Sequence, residues 1–436
     1  MRSTADVVIC GAGIAGTAAA YHLTTKQALV RVVIVDQYEA LTLTSDKGTQ
    51  GYRNWWPGPD DTMLRLVSRS IDLMEQTADA CDNAFRLNRR GYLFATANPA
   101  QIEEFRRSAQ QVSSFGMGPV RIHPGETAYA PHRAEGFREQ PIGADILLGD
   151  YARRAFPYLA PDTMAALHIR RAGTLNGVAY GSWMLKRALA CGAQLVRDRV
   201  VAVHTRGGRV HEVQLASGNV IATDTFIAAA GPELPNVGRM LGVELPLLHE
   251  LHLKARIRDP HGAVPRDAPF VIWSDPITID GVTLPAGVHM RPVDHTRGDE
   301  LFGIWTYETE QRPYVWPPPI DPHYAATVAR GCARMIPALA PHIAELLRDA
   351  ITDGGYYCKT PENRPLVGPL PVSGAFVVGA LSGMGLMAAH ACGELVSQHV
   401  VGAALPDYAR WFLPSRYDAA DYRALMASWG SRVGQL

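Results

Sequence analysis

Three glycines, Gly11, Gly13 and Gly16, stand at G-x-G-x-x-G spacing directly behind the apolar run at residues 6–10. The small residues of "IAGTAAAYHL" follow them, and the strand "VRVVIVD" then ends on Asp36, twenty residues beyond Gly16. Glycine at such places permits a tight turn, lets the backbone approach a pyrophosphate, and lets a helix pack closely on a strand; the helix N-terminus faces the phosphate charge. Asp36 would accept hydrogen bonds from ribose hydroxyls and repel a 2′-phosphate, which disfavours NADP. This spacing predicts a dinucleotide site through Gly11, Ala12, Gly13, Ile14, Ala15 and Gly16, completed by Asp36 and Gln37. It does not choose between NAD and FAD.

Beyond Asp36 the chain reads "QYEALTLTSDKGTQGYRNWWPGP", where a simple NAD domain would begin another regular βα unit. A polar, glycine-bearing stretch suits a loop laid along a long cofactor. Thr44, Ser45, Lys47, Gly48, Thr49 and Gln50 offer hydroxyls, amides and one cation to it. A second glycine pair, Gly383 and Gly385, opens an apolar helix in "GALSGMGLMAAHACGELVSQHVVG". Backbone N–H groups at that helix start, from Gly383 through Met384, Gly385 and Leu386 to Met387, would face negative charge.

Other elements must hold these turns in place. "GSWMLKRALACGAQLV" predicts a helix with Met184, Leu185, Ala188 and Leu189 on one face, turning at Gly192 into a strand. "RVVAVHTRGGRVHEVQLASGNVIATDTFIAAAG" predicts a β-meander with turns at Gly207-Gly208 and Ser217-Gly218. Residues from about 86 to 145 and from 245 to 345 carry prolines, isolated strands and scattered aromatics without βαβ spacing. They are expected to form a substrate domain, leaving 1–85, 146–244 and 346–436 as a discontinuous cofactor domain.

The 436 residues, 47% hydrophobic and 19% charged, suffice for two cores. Forty-two basic residues balance forty-two acidic ones, which argues against nucleic acid or an anionic membrane as partner and for a small molecule. Six cysteines without a C-x-x-C pair suit a reducing compartment, expected to be the cytoplasm. Neither an export signal nor a membrane span is expected.

Taken together, "VVICGAGIAG", "DTFIAAAG", "YYCKTPENRPLVGPLP" and "AFVVGALSGMGLM" resemble the FAD-dependent D-amino-acid oxidase superfamily. The likeness is greatest to its branch of glycine oxidase, monomeric sarcosine oxidase and dimethylglycine dehydrogenase. The T-P-[DE]-x-x-P-x-x-G stretch from Thr360 to Gly368, followed by S-G-x-G, is its most specific part. The resemblance implies an α/β fold: a Rossmann-type FAD-binding domain with parallel sheet and β-meander, plus a substrate domain on a mixed or antiparallel sheet with helices. It also implies that the first glycine turn binds the pyrophosphate and the second wraps the flavin ring. Bare glycines would there let the main chain approach the ring. Val200 matches the position that meets adenine, and Ala230-Gly231 match the turn beside the dinucleotide.

The family pattern also breaks. Where monomeric sarcosine oxidase has its flavin-linking cysteine this chain has Gly355, and where dimethylglycine dehydrogenase has a linking histidine it has Gln50, so FAD is expected to be non-covalent. Tyr357 replaces the carboxylate-clamping arginine of glycine oxidase, and Met387 the lysine of sarcosine oxidase. Arg53 and Arg291 are the remaining candidates for a substrate carboxylate. Tyr52, Trp55, Trp56, Tyr356 and Tyr357, with Trp305 added, are expected to line an apolar pocket for an amine. Lys47 is a candidate modulator of the ring. The expected reaction moves hydride from the carbon beside an unprotonated amine to flavin N5, with oxygen or an unidentified acceptor closing the cycle. The alternatives are an NAD-dependent dehydrogenase and a non-catalytic flavin-binding subunit.

Overall fold

A computed structural model describes residues 2–125, 128–293 and 298–429; residues 430–436 of the third expected cofactor stretch lie outside them. The βαβ unit forms as its spacing predicts: strand Val7–Cys10, helix Ile14–Thr25, strand Val32–Asp36. These strands join a six-stranded sheet in the order 194–197, 32–36, 7–10, 226–228, 375–379, 366–369. Every neighbouring pair is parallel except the last. The two glycine turns therefore leave the same end of the sheet, from strands separated by one other, although they lie far apart in sequence. Their helices touch. At Gly393 in helix Gly385–Val401 an added Cβ would lie 2.6 Å from the Ala18 carbonyl carbon, so the small residues of Ile14–Thr25 serve this close crossing.

The meander forms over strands Val200–Arg206, Arg209–Leu215 and Val220–Ala222. Gly207, Gly208 and Gly218 take positive φ in its turns. Residues 2–4 add a fourth strand in parallel to 220–222. Helix Gly177–Ala190 buries Met184, Leu185 and Ala188, but Leu189 is 38% exposed. Five residues beyond Met184, Leu189 has rotated off the face.

A nine-stranded, mostly antiparallel sheet forms the second layer, in the order 351–359, 248–258, 300–304, 289–292, 270–273, 92–96, 165–169, 144–148, 120–123. Helix Tyr324–Met335 packs with it in a core holding Trp273, Trp305, Val328 and Cys332. This sheet corrects the expected boundaries. Strands Ala165–Ile169 and Ile351–Lys359 fall in stretches assigned to the cofactor domain, as does most of Ala144–Leu148, yet all three pair here. A short apolar strand carries no mark of which sheet will accept it.

The T-P-E-x-x-P stretch has a structural occupant. Glu362, 3% exposed, accepts from Arg416 (2.5 and 3.0 Å), Tyr422 (2.6 Å) and Tyr417 (2.9 Å), all from the C-terminal segment. Burial alone would raise the Glu362 pKa, but the Arg416 charge and these hydrogen bonds outweigh it and hold the carboxyl below its ordinary range. Replacing Arg416 by alanine would leave that carboxylate buried without its counter-charge, at a cost of about 3–5 kcal/mol. Glu362 stabilises the fold above its unfolded pKa of about 4.3, and the contribution is lost as pH falls through the depressed folded value. The variant's urea midpoint should therefore fall at neutral pH and converge on that of the parent in acid. An unchanged neutral midpoint would refute this role.

Candidate cofactor and active site

One continuous cavity of about 530 Å³ runs between the two sheets. The first glycine turn closes one flank of it. Gly11 has φ +116°, and a Cβ there would stand 2.5 Å from the Ala229 oxygen; a Cβ on Gly16 would stand 2.0 Å from the Gly11 oxygen. These two glycines are demanded by backbone packing. Gly13 is different. Its φ of −68° suits any residue, and its missing side chain faces the Ser45 hydroxyl at 3.3 Å and the cavity.

Asp36 fixes the turn: Oδ2 accepts from Ala12 N at 2.7 Å and Oδ1 from Tyr38 N at 2.9 Å. Ser45 Oγ accepts from Ile14 N, in the first turn of the helix, at 3.0 Å. Gly11, Gly13, Ile14, Ala15, Asp36 and Gln37 line the cavity; Ala12 and Gly16 lie behind it. Val200, Ala230 and Gly231 line the same end, joined by Glu39, Asp198, Arg199 and Glu233.

The loop after Asp36 contains the short helix Thr44–Lys47 and the strand Gly51–Arg53. Thr44, Ser45, Gly48, Thr49 and Gln50 line the cavity. Lys47 does not; its ammonium pairs with Asp353 at 3.3 Å and Asp46 at 3.6 Å. Arg291 is also off the cavity. It donates to the Thr49 and Pro292 carbonyls and, at 3.3 Å, to Gln50 Oε1, so it braces the loop from behind. Gln50 Oε1 also accepts from Gly177 N at 3.3 Å.

Beside the first turn a 3₁₀ turn, Ser382–Met384, leads into helix Gly385–Val401, and residues 383–387 all line the cavity. Gly383 departs from expectation, because a Cβ there would strike the Tyr357 ring at 2.6 Å. Its bareness admits a tyrosine of this chain. Gly385 would meet only ordinary contacts, Leu381 at 3.6 Å and Ile14 at 3.8 Å, so packing does not demand glycine there.

Beyond this helix start the cavity ends in an aromatic chamber. Trp56 and Tyr357 line it, and Tyr92, Phe270, His252 and His289 join them; Tyr356 lines the same cavity, but its ring lies by Tyr314 at 5.3 Å and His249 at 6.4 Å, on the other face of its strand. Tyr92 and Phe270 stack at 4.2 Å, Phe270 and His289 at 5.2 Å, and Tyr357 and His252 at 3.8 Å. Arg53, 5% exposed, lies in this wall over the rings of Trp56 (5.5 Å) and Tyr92 (5.4 Å). Burial lowers its pKa, with the Tyr92 hydroxyl opposing; burial likewise pushes Tyr92 and Tyr357 up to about 12 and His289 down to about 4.

Behind Tyr357 runs a buried polar chain. Lys359 Nζ meets Glu250 Oε1 at 2.5 Å, and His252 reaches Glu250 Oε2 at 3.3 Å and Thr306 Oγ1 at 3.1 Å. Burial lowers the His252 pKa against the opposing pull of Glu250.

Three expected pocket residues lie elsewhere. Tyr52 is fully buried, its hydroxyl donating to the Asn88 carbonyl at 2.8 Å; Trp55 packs by Phe94 at 6.4 Å; Trp305 sits in the second core, donating to Pro285 O at 2.8 Å. Aromatic type and nearness in sequence did not reveal which face each ring would take. The chamber residues that sequence reading missed sit on strands of the nine-stranded sheet, with no local motif. His249 and His252 fall on opposite faces of strand Leu248–Arg258, and His252 is the one in the cavity.

One cavity bordered both by a phosphate-type glycine turn and by a second helix start defines a dinucleotide-binding oxidoreductase of the FAD type. The chain belongs to the FAD dependent oxidoreductase family, whose model matches residues 6–399. It is 24% identical over 419 residues to mitochondrial sarcosine dehydrogenase of Mus musculus, covering 92% of this chain and 40% of that protein. It therefore spans less than half of that relative. Among solved structures it resembles L-proline dehydrogenase from P. horikoshii (TM-score 0.76, 19% identity, 96% and 99% of the two chains). Iminodiacetate oxidase from Chelativorans sp. BNC1 is similar too (TM-score 0.72, 20% identity, 94% and 98%). The residues present fit FAD: the open side of Gly13 and the roomy Gly385 border one space, which Asp36 also lines.

Proposed function

We propose that this chain oxidises the C–N bond of an amine or amino acid, with the substrate held in the aromatic chamber and its carboxylate paired to Arg53. The observation that carries this reading is a buried guanidinium in the wall of a chamber that adjoins the second glycine turn. Bound FAD supplies the acceptor for a hydride leaving the carbon beside nitrogen. Arg53 offers a planar fork to a carboxylate, a role that Tyr357 and Met387 cannot fill. Trp56, Tyr92 and Tyr357 present ring faces to a cationic or N-alkylated amine and keep water out. His289, with its pKa near 4, is neutral at neutral pH and adds no charge against a substrate cation.

The cofactor is held without a covalent link, since Gln50 and Gly355 offer no nucleophile. Acid precipitation should release the whole yellow colour into the supernatant; colour retained in the pellet would contradict this. The six free cysteines support a reducing compartment such as the cytoplasm. Among the described residues no helix is long and apolar enough to cross a membrane.

The function is tested by anaerobic mixing of the FAD-loaded protein with a panel of secondary amines and amino acids. Bleaching of the flavin band near about 450 nm by an amine supports the proposal. A flavin that none of them reduces would favour a non-catalytic flavin-binding subunit.

A further inference from the structure

Away from the cofactor cavity, two histidines and a glutamate converge where the loop after strand Leu248–Arg258 meets the segment after helix Tyr324–Met335. One ligand atom from each of His261, His342 and Glu345 lies within 4.8 Å of the other two. We propose that these three side chains bind a single divalent ion of the zinc type, which ties the loop to the helical layer of the substrate unit.

The donor set is the first support. Two imidazoles and one carboxylate suit zinc and its neighbours far better than magnesium or calcium, which favour oxygen alone. Distance is the second. Bonds of about 2.0–2.2 Å place adjacent ligand atoms of a tetrahedral ion roughly 3.4 Å apart. His261 Nε2 lies 2.7 Å from Glu345 Oε2 and His342 Nδ1 lies 3.9 Å from Glu345 Oε1, so the two imidazoles already face the two oxygens of one carboxylate, and small side-chain rotations would bring one atom of each to that spacing.

Placement is the third. His342 and Glu345, three residues apart, project from one helical turn. Buried Leu339 and Leu346 pin that turn to the core. The opposing loop is built from within: the Asp259 carboxylate accepts from Ala263 N at 3.1 Å and Val264 N at 2.9 Å, and Arg266 donates to the Asp259 carbonyl at 2.6 Å. His261 is thus carried on a fixed turn. Its side chain is 43% exposed, His342's 33% and Glu345's 45%, which leaves an approach for the ion and a place for water.

The two rings stack at 3.8 Å with 21° between their planes. To take the ion, the His342 imidazole turns about its Cβ–Cγ bond until its lone pair points beside that of His261. The proton between His261 Nε2 and Glu345 gives way to the ion, leaving a neutral ring with its one proton on Nδ1, because the ligand nitrogen must be unprotonated. An exposed ion pair alone would use one histidine and contribute little; here a second imidazole faces the same carboxylate. The three ligands do not line the cofactor cavity, so the ion would hold structure and take no part in turnover.

The test is equilibrium dialysis of tag-free, FAD-loaded protein against zinc chloride, with metal and flavin content both measured. One saturable equivalent of zinc and a raised melting temperature are expected. His261→Ala and His342→Ala should each weaken binding by roughly tenfold or more, abolish the rise in melting temperature, and leave flavin content unchanged. Absence of a saturable equivalent would overturn the proposal. So would an equivalent that persists undiminished in the double variant H261A/H342A, since the ion would then lie elsewhere, such as on the partly exposed Cys81 or Cys191.

Discussion

Replacing Arg53 by alanine should lower kcat/KM for a carboxylated amine by about 10²–10³, or roughly 3–4 kcal/mol, the usual loss when one partner of a buried, hydrogen-bonded charge pair is removed. An amine without a carboxylate should lose far less, because it never made that pair. Arg53→Lys keeps the charge but not the planar fork, so it too should fall for the carboxylated substrate. Arg53 also faces the rings of Trp56 and Tyr92, and truncation leaves a gap in the wall. Comparing the two substrates separates these effects: an equal loss for both would show that Arg53 shapes the chamber and holds no carboxylate.

Gly13→Val is expected to weaken FAD binding by at least about 10²-fold, near 3 kcal/mol, while the far-ultraviolet circular dichroism stays that of the parent. The backbone at Gly13 is extended and suits valine, so the cost falls on the side chain: its Cβ would stand 3.3 Å from Ser45 Oγ and its branches would enter the space proposed for the pyrophosphate. Gly16→Ala tests a different requirement. Its Cβ would collide with the Gly11 carbonyl oxygen, so the turn itself must move and stability should fall along with cofactor content. A Gly13→Val protein that kept FAD with the parent's affinity would remove the pyrophosphate from this turn.

The cofactor end of the molecule could be read in the sequence because its chemistry is local. A glycine turn, a following helix and an acid at the next strand's end are neighbours along the chain, and each residue's role depends on backbone that the motif itself specifies. Ser45 and Gln50, expected from the same stretch, line the cavity, where Ser45 Oγ also accepts from Ile14 N and Gln50 Oε1 from Arg291 and Gly177 N. The substrate end was not, because its wall is assembled from strands at residues 92–96, 248–258, 270–273, 289–292 and 351–359, whose pairing order decides which side chains face inward. Tyr52 and Trp55 sit beside Arg53 and Trp56, yet the first two turn into the core and the latter two into the cavity. Arg53 and Arg291 illustrate the same limit: both are buried arginines near the flavin loop, and only the fold shows one in the chamber and the other bonded to the loop's carbonyls.

Gly383 shows how a correct motif can carry an incomplete reason. Glycine was expected there to admit the flavin ring, and its hydrogens instead face Tyr357, which lies on His252 over the Glu250–Lys359 pair. The second glycine turn thus also sets the position of a tyrosine at the chamber mouth.

The central claim is that one extended FAD bridges the two glycine turns. A crystal structure of the FAD-loaded protein tests it most directly. The adenosine should lie against Asp36 and Val200, the pyrophosphate beside Gly13, and the isoalloxazine ring within van der Waals reach, about 4 Å, of Gly385. A flavin ring found at the Val200 end, or FAD bound outside this cavity, would contradict the account.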